Sequence, residues 1–184
     1  MPTLDHPDLP RIKAAFPDAE LRATEFRGET TLVVRPGDLF AVLKMLKEDP
    51  ETRYDFLSDV VGVDYLGYPK ARPGSPEGRF AVVYNLQSTT TGRRLFVKAL
   101  LDPSIDTDGT AHDPALHLDS CVALWPGAEW MEREVYDMFG IRFDDHPDLR
   151  RILLWEAYPT HPLRKDYPVR GEGEREDYRI VTRS

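Results

Sequence analysis

The chain has a single cysteine, Cys121, among 184 residues. One thiol makes no internal disulfide, no paired zinc knuckle and no iron–sulfur cluster on its own. If the protein takes part in redox chemistry, the metal belongs to another chain. Long apolar runs are missing too: none approaches the roughly 18 residues that suggest a membrane helix. The start, Met1-Pro2-Thr3-Leu4-Asp5-His6, has neither a basic patch nor an apolar stretch and does not read as a signal peptide. There is no GxGxxG, no phosphate loop of the GxxxxGK[ST] type, no GxSxG and no HExxH. Positive charge is scarce: the net charge is −8, which argues against nucleic acid as the main partner.

What is present is ordinary globular composition, 41% apolar and 30% charged, enough for one domain with a core. Residues 7–16 predict a short helix with Leu9, Ile12 and Phe16 on one face. A strand pair follows, its better half at 30–35. Asp38 is expected to cap a helix striped by Leu39, Val42, Leu43 and Leu46 and stopped at Asp49-Pro50. From Tyr54 the pattern turns β. Residues 79–87 alternate, with Phe80, Val82, Tyr84 and Leu86 on one side, and with 94–101 they predict a β-hairpin. Asp119-Ser120 caps a single helical turn, and a further helix is expected over 128–139 with Gly140 as its stop. Cys121, in an apolar stretch, reads as a buried small hydrophobe. The predicted class is α+β: a two-layer domain over 1–143, its mixed or mainly antiparallel sheet packed by helices.

Beyond Phe143 the character changes. Pro147, Pro159, Pro162 and Pro168 punctuate the chain. Residues 142–170 carry six basic and five acidic residues, about +1, which leaves about −9 for the rest. Residues 144–184 are expected to be an extended partner-binding arm, since a proline-broken strip exposes backbone groups that must find partners.

Three constellations stand out. The first is Glu132-Arg133-Glu134-Val135-Tyr136-Asp137-Met138-Phe139-Gly140. On a helix, Met131, Val135 and Met138 share the apolar face, and Arg133 and Asp137, four apart, can pair. Glu132 and Glu134 diverge and cannot form a close carboxylate dyad; the plain alternative is an amphipathic helix with a solvated charged face. The second constellation holds Asp144, Asp145 and His146, which with His161 and Asp166 offer metal ligands. A small metal-dependent hydrolase is therefore a rival, weakened because no regular element fixes those ligands. The third is His161-Pro162-Leu163-Arg164-Lys165-Asp166-Tyr167-Pro168, a basic and aromatic strip suited to docking, or else a tail folded back on its own domain.

Taken in order, Glu132-Arg133-Glu134, Tyr136 to Ile141, His146-Pro147-Asp148-Leu149-Arg150-Arg151-Ile152-Leu153 and His161 to Pro168 resemble the 30-kilodalton subunit family of respiratory complex I, the C-type subunits of NADH–quinone oxidoreductases. The likeness runs from about Leu39 to Pro168; Thr160 departs from it, standing where the family usually shows Gly. The resemblance implies a non-catalytic component of the peripheral arm of a proton-translocating complex, on the cytoplasmic side of the bacterial membrane. It implies no cofactor on this chain, with FMN, iron–sulfur clusters, NADH and quinone handled by other subunits. Partners would be the D-type subunit, which holds the quinone site, and others such as the B type. His146, Pro147, Arg150, Arg151 and the whole strip from His161 to Pro168 are then expected to bind the partner, with Arg164 and Lys165 as exposed arm cations. Membrane-bound hydrogenase complexes contain similar subunits and are the alternative assembly.

Overall fold

A computed structural model describes residues 5–68, 78–105 and 112–174. The chain runs α1 (Leu9–Ala15), β1 (Arg22–Phe26), β2 (Glu29–Val34), α2 (Pro36–Glu48), β3 (Phe56–Asp64), β4 (Phe80–Gln87), β5 (Arg94–Leu101), β6 (His117–Asp119), α3 (Ala128–Phe139) and β7 (Arg142–Asp144). The expected loop at 67–78 lies mostly outside the described residues, as do residues 175–184 of the expected arm.

Five strands form one sheet in the order β1-β2-β5-β4-β3. Every neighbouring pair is antiparallel except β2 and β5, which run parallel, so the sheet is mixed. The topology follows from the connections. Arg27 and Gly28, both at positive φ, form a two-residue turn between β1 and β2, the geometry that matches strand twist. After β2 the helix α2 crosses the sheet to its far edge. A β3-β4-β5 meander then returns and sets β5 beside β2.

Helix α2 begins two residues before the expected cap. Pro36 occupies its first turn, where a missing N–H costs nothing, and Arg35 is the extended residue before it. Asp38 lies inside the first turn instead, where its charge faces the positive end of the helix. Leu39, Val42, Leu43 and Leu46 are fully buried, each worth about 1.5–3 kcal/mol of hydrophobic burial. They meet the inner face of the sheet, where Phe80, Val82, Tyr84 and Leu86 of β4 and Leu95, Val97 and Ala99 of β5 are likewise at zero exposure. Cys121 is buried in the same core, and burial pushes its thiol pKa well up, away from reactivity.

The core is tied to α1 by polar bonds: Tyr54 donates to Asp8 at 2.7 Å, and Arg93 pairs with Asp8 at 2.7 Å. Ser120 caps a turn over 121–125, accepting from Val122 N at 3.2 Å. Two short elements add to the expected plan: β6 and β7 pair in parallel, three residues each. β6 leads into the 121–125 turn ahead of α3, and β7 follows α3, which packs on β3. That contact is close, because Gly62 sits directly under the Phe139 ring and a Cβ there would collide with it.

Candidate partner-binding site

Helix α3 covers 128–139, and Gly140 ends it in the left-handed region at φ 76°. The last carbonyls of a helix have no partner within it. Here each of the last four is answered. Tyr136 O accepts from Gly140 N at 2.9 Å. Asp137 O accepts from Arg151 at 3.1 Å and from His161 Nδ1 at 2.9 Å. Met138 O accepts from Leu163 N at 3.2 Å, and Phe139 O from Arg164 Nε at 2.7 Å. Three of the four are thus closed by residues 151–164, coming back from beyond β7.

The charged residues of α3 hold the same segment from the side. Arg133, 5% exposed, donates to the carbonyls of Arg150 and Arg151, both at 3.1 Å. Asp137 has no exposure. One of its oxygens pairs with Arg151 at 2.6 Å. The other accepts three consecutive backbone N–H groups, Ile152 at 3.0 Å, Leu153 at 2.8 Å and Leu154 at 2.9 Å. Burial alone would raise its pKa; the Leu154 N–H, Arg151 and the other two amides outweigh that and hold the carboxyl below the usual range. Arg151 also donates to the carbonyls of Tyr158 and Thr160. His161 is pushed down to about 4, chiefly by burial, so its imidazole is neutral at pH 7.

A second anchor lies across the domain. Asp64, at the end of β3, accepts from Arg79, from Leu66 N and, at 2.8 Å, from Lys165 N. Arg79 also pairs with Asp166 at 2.6 Å. Farther along, the hydroxyls of Tyr158 and Tyr167 meet at 2.6 Å, and Tyr167 also bonds Glu174.

Several expectations change. Arg133 and Asp137 do not pair with each other, and the charged face of α3 is not solvated: Glu132, Arg133 and Asp137 are buried, and only Glu134 points to solvent. Glu132 accepts from Ser120 Oγ at 2.6 Å and Cys121 N at 2.8 Å, and burial raises its pKa. Tyr136 is half-buried, edge-on to His161. Residues 149–166 do not stand off as a free extended strip; they lie on their own domain. The reason is that α3 presents acceptors and an acid that only this segment satisfies. Arg164 is accordingly not an exposed cation. It is 6% exposed and stacked over the Phe80 ring at 5.2 Å. Lys165, Pro147, Arg150 and Pro168 are exposed, and Pro162 is half-buried.

The residues considered as hydrolase ligands are dispersed. Asp144 bonds His117, Asp166 bonds Arg79, and His161 bonds Asp137 O. The buried His146 ring donates to Glu129 O at 3.0 Å while accepting from Asp148 N. Among the described residues no three metal-ligating side chains converge as a metal cage.

With its backbone and charges spent inward, the segment turns apolar side chains outward: Leu153 is 63% exposed, Leu163 53% and Val169 fully so. Trp155 is exposed beside Tyr158, their rings 4.6 Å apart. Among the described residues no helix is long and apolar enough to cross a membrane.

Residues 32–173 match the family model described as the respiratory-chain NADH dehydrogenase 30 Kd subunit. The C-type subunit of the NADH-quinone oxidoreductase of Citrifermentans bemidjiense is 44% identical over 169 residues, 92% of each chain. A solved structure titled as the trypsin-resistant fragment (1-134) of Nqo5 superposes with a TM-score of 0.57 at 33% identity, covering 77% of this chain and 96% of that one. A chain from the membrane-bound sulfane sulfur reductase, an archaeal respiratory membrane complex, shares the fold at a TM-score of 0.64 and 23% identity over 95% of this chain and 91% of its own. The chain therefore belongs to the 30-kilodalton subunit family of respiratory-chain NADH dehydrogenase, the C-type subunits of NADH-quinone oxidoreductase complexes.

Proposed function

We propose that this chain is a non-catalytic docking component of the peripheral arm, and that residues 149–169 form its contact with the D-type, quinone-site subunit. The observation that carries this reading is the division of labour within the segment. Its polar groups are consumed by Asp137, Arg133, Asp64 and the α3 carbonyls, while Leu153, Trp155, Leu163 and Val169 are left facing out. Apolar anchors on a rigid support, rimmed by charges such as Arg150 and Lys165, suit a stable protein interface. The support makes docking cheaper, because ordering entropy is already spent before the partner arrives.

On this reading FMN, iron–sulfur clusters, NADH and quinone act on other chains, B-type subunits among the neighbours. The protein reaches the cytoplasmic face of the membrane through the complex. Affinity purification of the tagged chain from native membranes, with mass spectrometry of what accompanies it, tests this. The quinone-site partner in stoichiometric amount supports it; a chain recovered without other components of the complex overturns it.

A further inference from the structure

Where α3 ends and β7 begins, the chain forms a recess of about 340 Å3 with the returning segment, lined by Tyr136, Gly140, Arg142, Arg151, Tyr158 and His161. Arg142 is set in place twice. Its backbone N donates to Leu116 O at 2.9 Å beside the β6–β7 pairing. Its guanidinium lies over the Tyr136 ring, 5.4 Å from the centroid. That ring stands edge-on to His161, whose Nδ1 is tied to Asp137 O at 2.9 Å. The guanidinium therefore has a defined place, half-buried, yet among the described residues no carbonyl or carboxylate accepts from it. Its neighbours differ: Arg133, Arg150, Arg151 and Arg164 each donate to an acceptor of this chain.

We propose that this recess receives a carboxylate side chain of the protein that docks on residues 149–169, bound by Arg142. The inference rests on the docking reading above and adds the chemistry of the partner's contact. A guanidinium offers its N–H groups as a planar fork that fits a carboxylate two-to-two, and stacking on a ring fixes the plane of that fork beforehand. The chain's own acids do not fill the role. Asp144, two residues along β7, is turned to His117 at 2.8 Å. Asp137 is completed by Arg151 and three backbone amides. Glu156 shares the recess but is exposed, and its charge bears on Arg150. The recess also opens onto the docking face, since Tyr158 lines it and packs edge-on against the exposed Trp155 at 4.6 Å. A partner seated on those rings brings its acid beside Arg142 and shields the pair from water. On a chain of net charge −8, such a contact fixes orientation more than it drives encounter.

The test uses two variants of the tagged full-length chain, recovered from native membranes with its companions. Arg142→Glu should lower recovery of the quinone-site partner at least about tenfold. Its urea unfolding should match the parent's, because the guanidinium has no hydrogen bond to lose. Arg142→Lys keeps the charge and supplies an amine. Treatment with a water-soluble carbodiimide, which joins amines to carboxylates in contact, should then link position 142 to an Asp or Glu of the partner, read by mass spectrometry. This second variant decides the matter even where the first folds poorly. Parental recovery with Arg142→Glu, or a new amine linked only to acids of its own chain such as Glu156 or Asp144, overturns the recess and leaves the docking reading standing. Failure of the unaltered chain to recover the partner takes both down together.

Discussion

Asp137 on α3 and Arg151, fourteen residues further along, form an ion pair at 2.6 Å in which the carboxylate has no exposure and the guanidinium 11%. Three backbone amides complete the carboxylate, and three carbonyls share the guanidinium. The pair joins two sequence motifs into one clasp. Buried pairs are weak evidence of net stabilisation but are costly to break, because the remaining charge is stranded.

Asp137→Asn should therefore cost about 3–5 kcal/mol in urea unfolding of the isolated chain. It should also speed tryptic cleavage at Arg150 and Arg151, since the segment loses its central tie. An unfolding midpoint within error of the parent would show that the clasp contributes nothing.

Two glycines should respond with opposite signs. Gly140 holds φ 76°, and a Cβ there would sit 2.7 Å from His161 and Arg164. Gly140→Ala is expected to lower stability by more than about 1 kcal/mol. Gly37, in the first turn of α2 with nothing near it, should gain a few tenths to about 1 kcal/mol on replacement by Ala. Thermal melts of both variants decide this.

Acid should loosen the clasp. His161 titrates near 4 when folded against an unfolded value of 6.5. Between those values the unfolded chain binds more protons, so stability rises with pH there and is lost as pH falls from 6.5 toward 4. Glu132, raised by burial, works in the opposite sense. The difference between the parent and His161→Gln isolates the histidine: the variant should lose that part of the slope. Urea midpoints measured from about pH 4 to 7 provide the check.

Arg164 and Lys165 are adjacent but should behave differently. Arg164→Ala removes a buried cap on Phe139 O and a stack on Phe80, at a cost of about 1–3 kcal/mol. Lys165→Glu alters an exposed side chain whose backbone alone is engaged. It should stay within about 0.5 kcal/mol in the isolated chain and act on association.

Much of this architecture is written in local pattern. The α2 stripe, the limits of α3 with its Gly140 stop, and the alternation of β4 and β5 all follow from short-range periodicity. The parallel pairing of β2 with β5 does not, because it depends on where a helical crossover lands. Strands β6 and β7, at three residues, are too short to show a period. The site is half legible. The motifs are visible as dense charge and proline, yet Arg133 and Asp137, four apart on a helix, read as a pair for each other. Nothing local reveals that their partners arrive from residues 150–154, or that Asp64 receives an amide 101 residues away. The available signal is that a proline-broken stretch leaves unpaired N–H groups, and a carboxylate on the preceding helix is a natural acceptor for them.

The most direct test places Asp at both Leu153 and Leu163 and measures two things: unfolding of the isolated chain and recovery of the quinone-site partner with the tagged chain from native membranes. Both side chains are more than half exposed, so folding should be nearly unchanged while partner recovery falls at least about tenfold. Full recovery of the partner with both charges in place would contradict the docking role assigned to this segment.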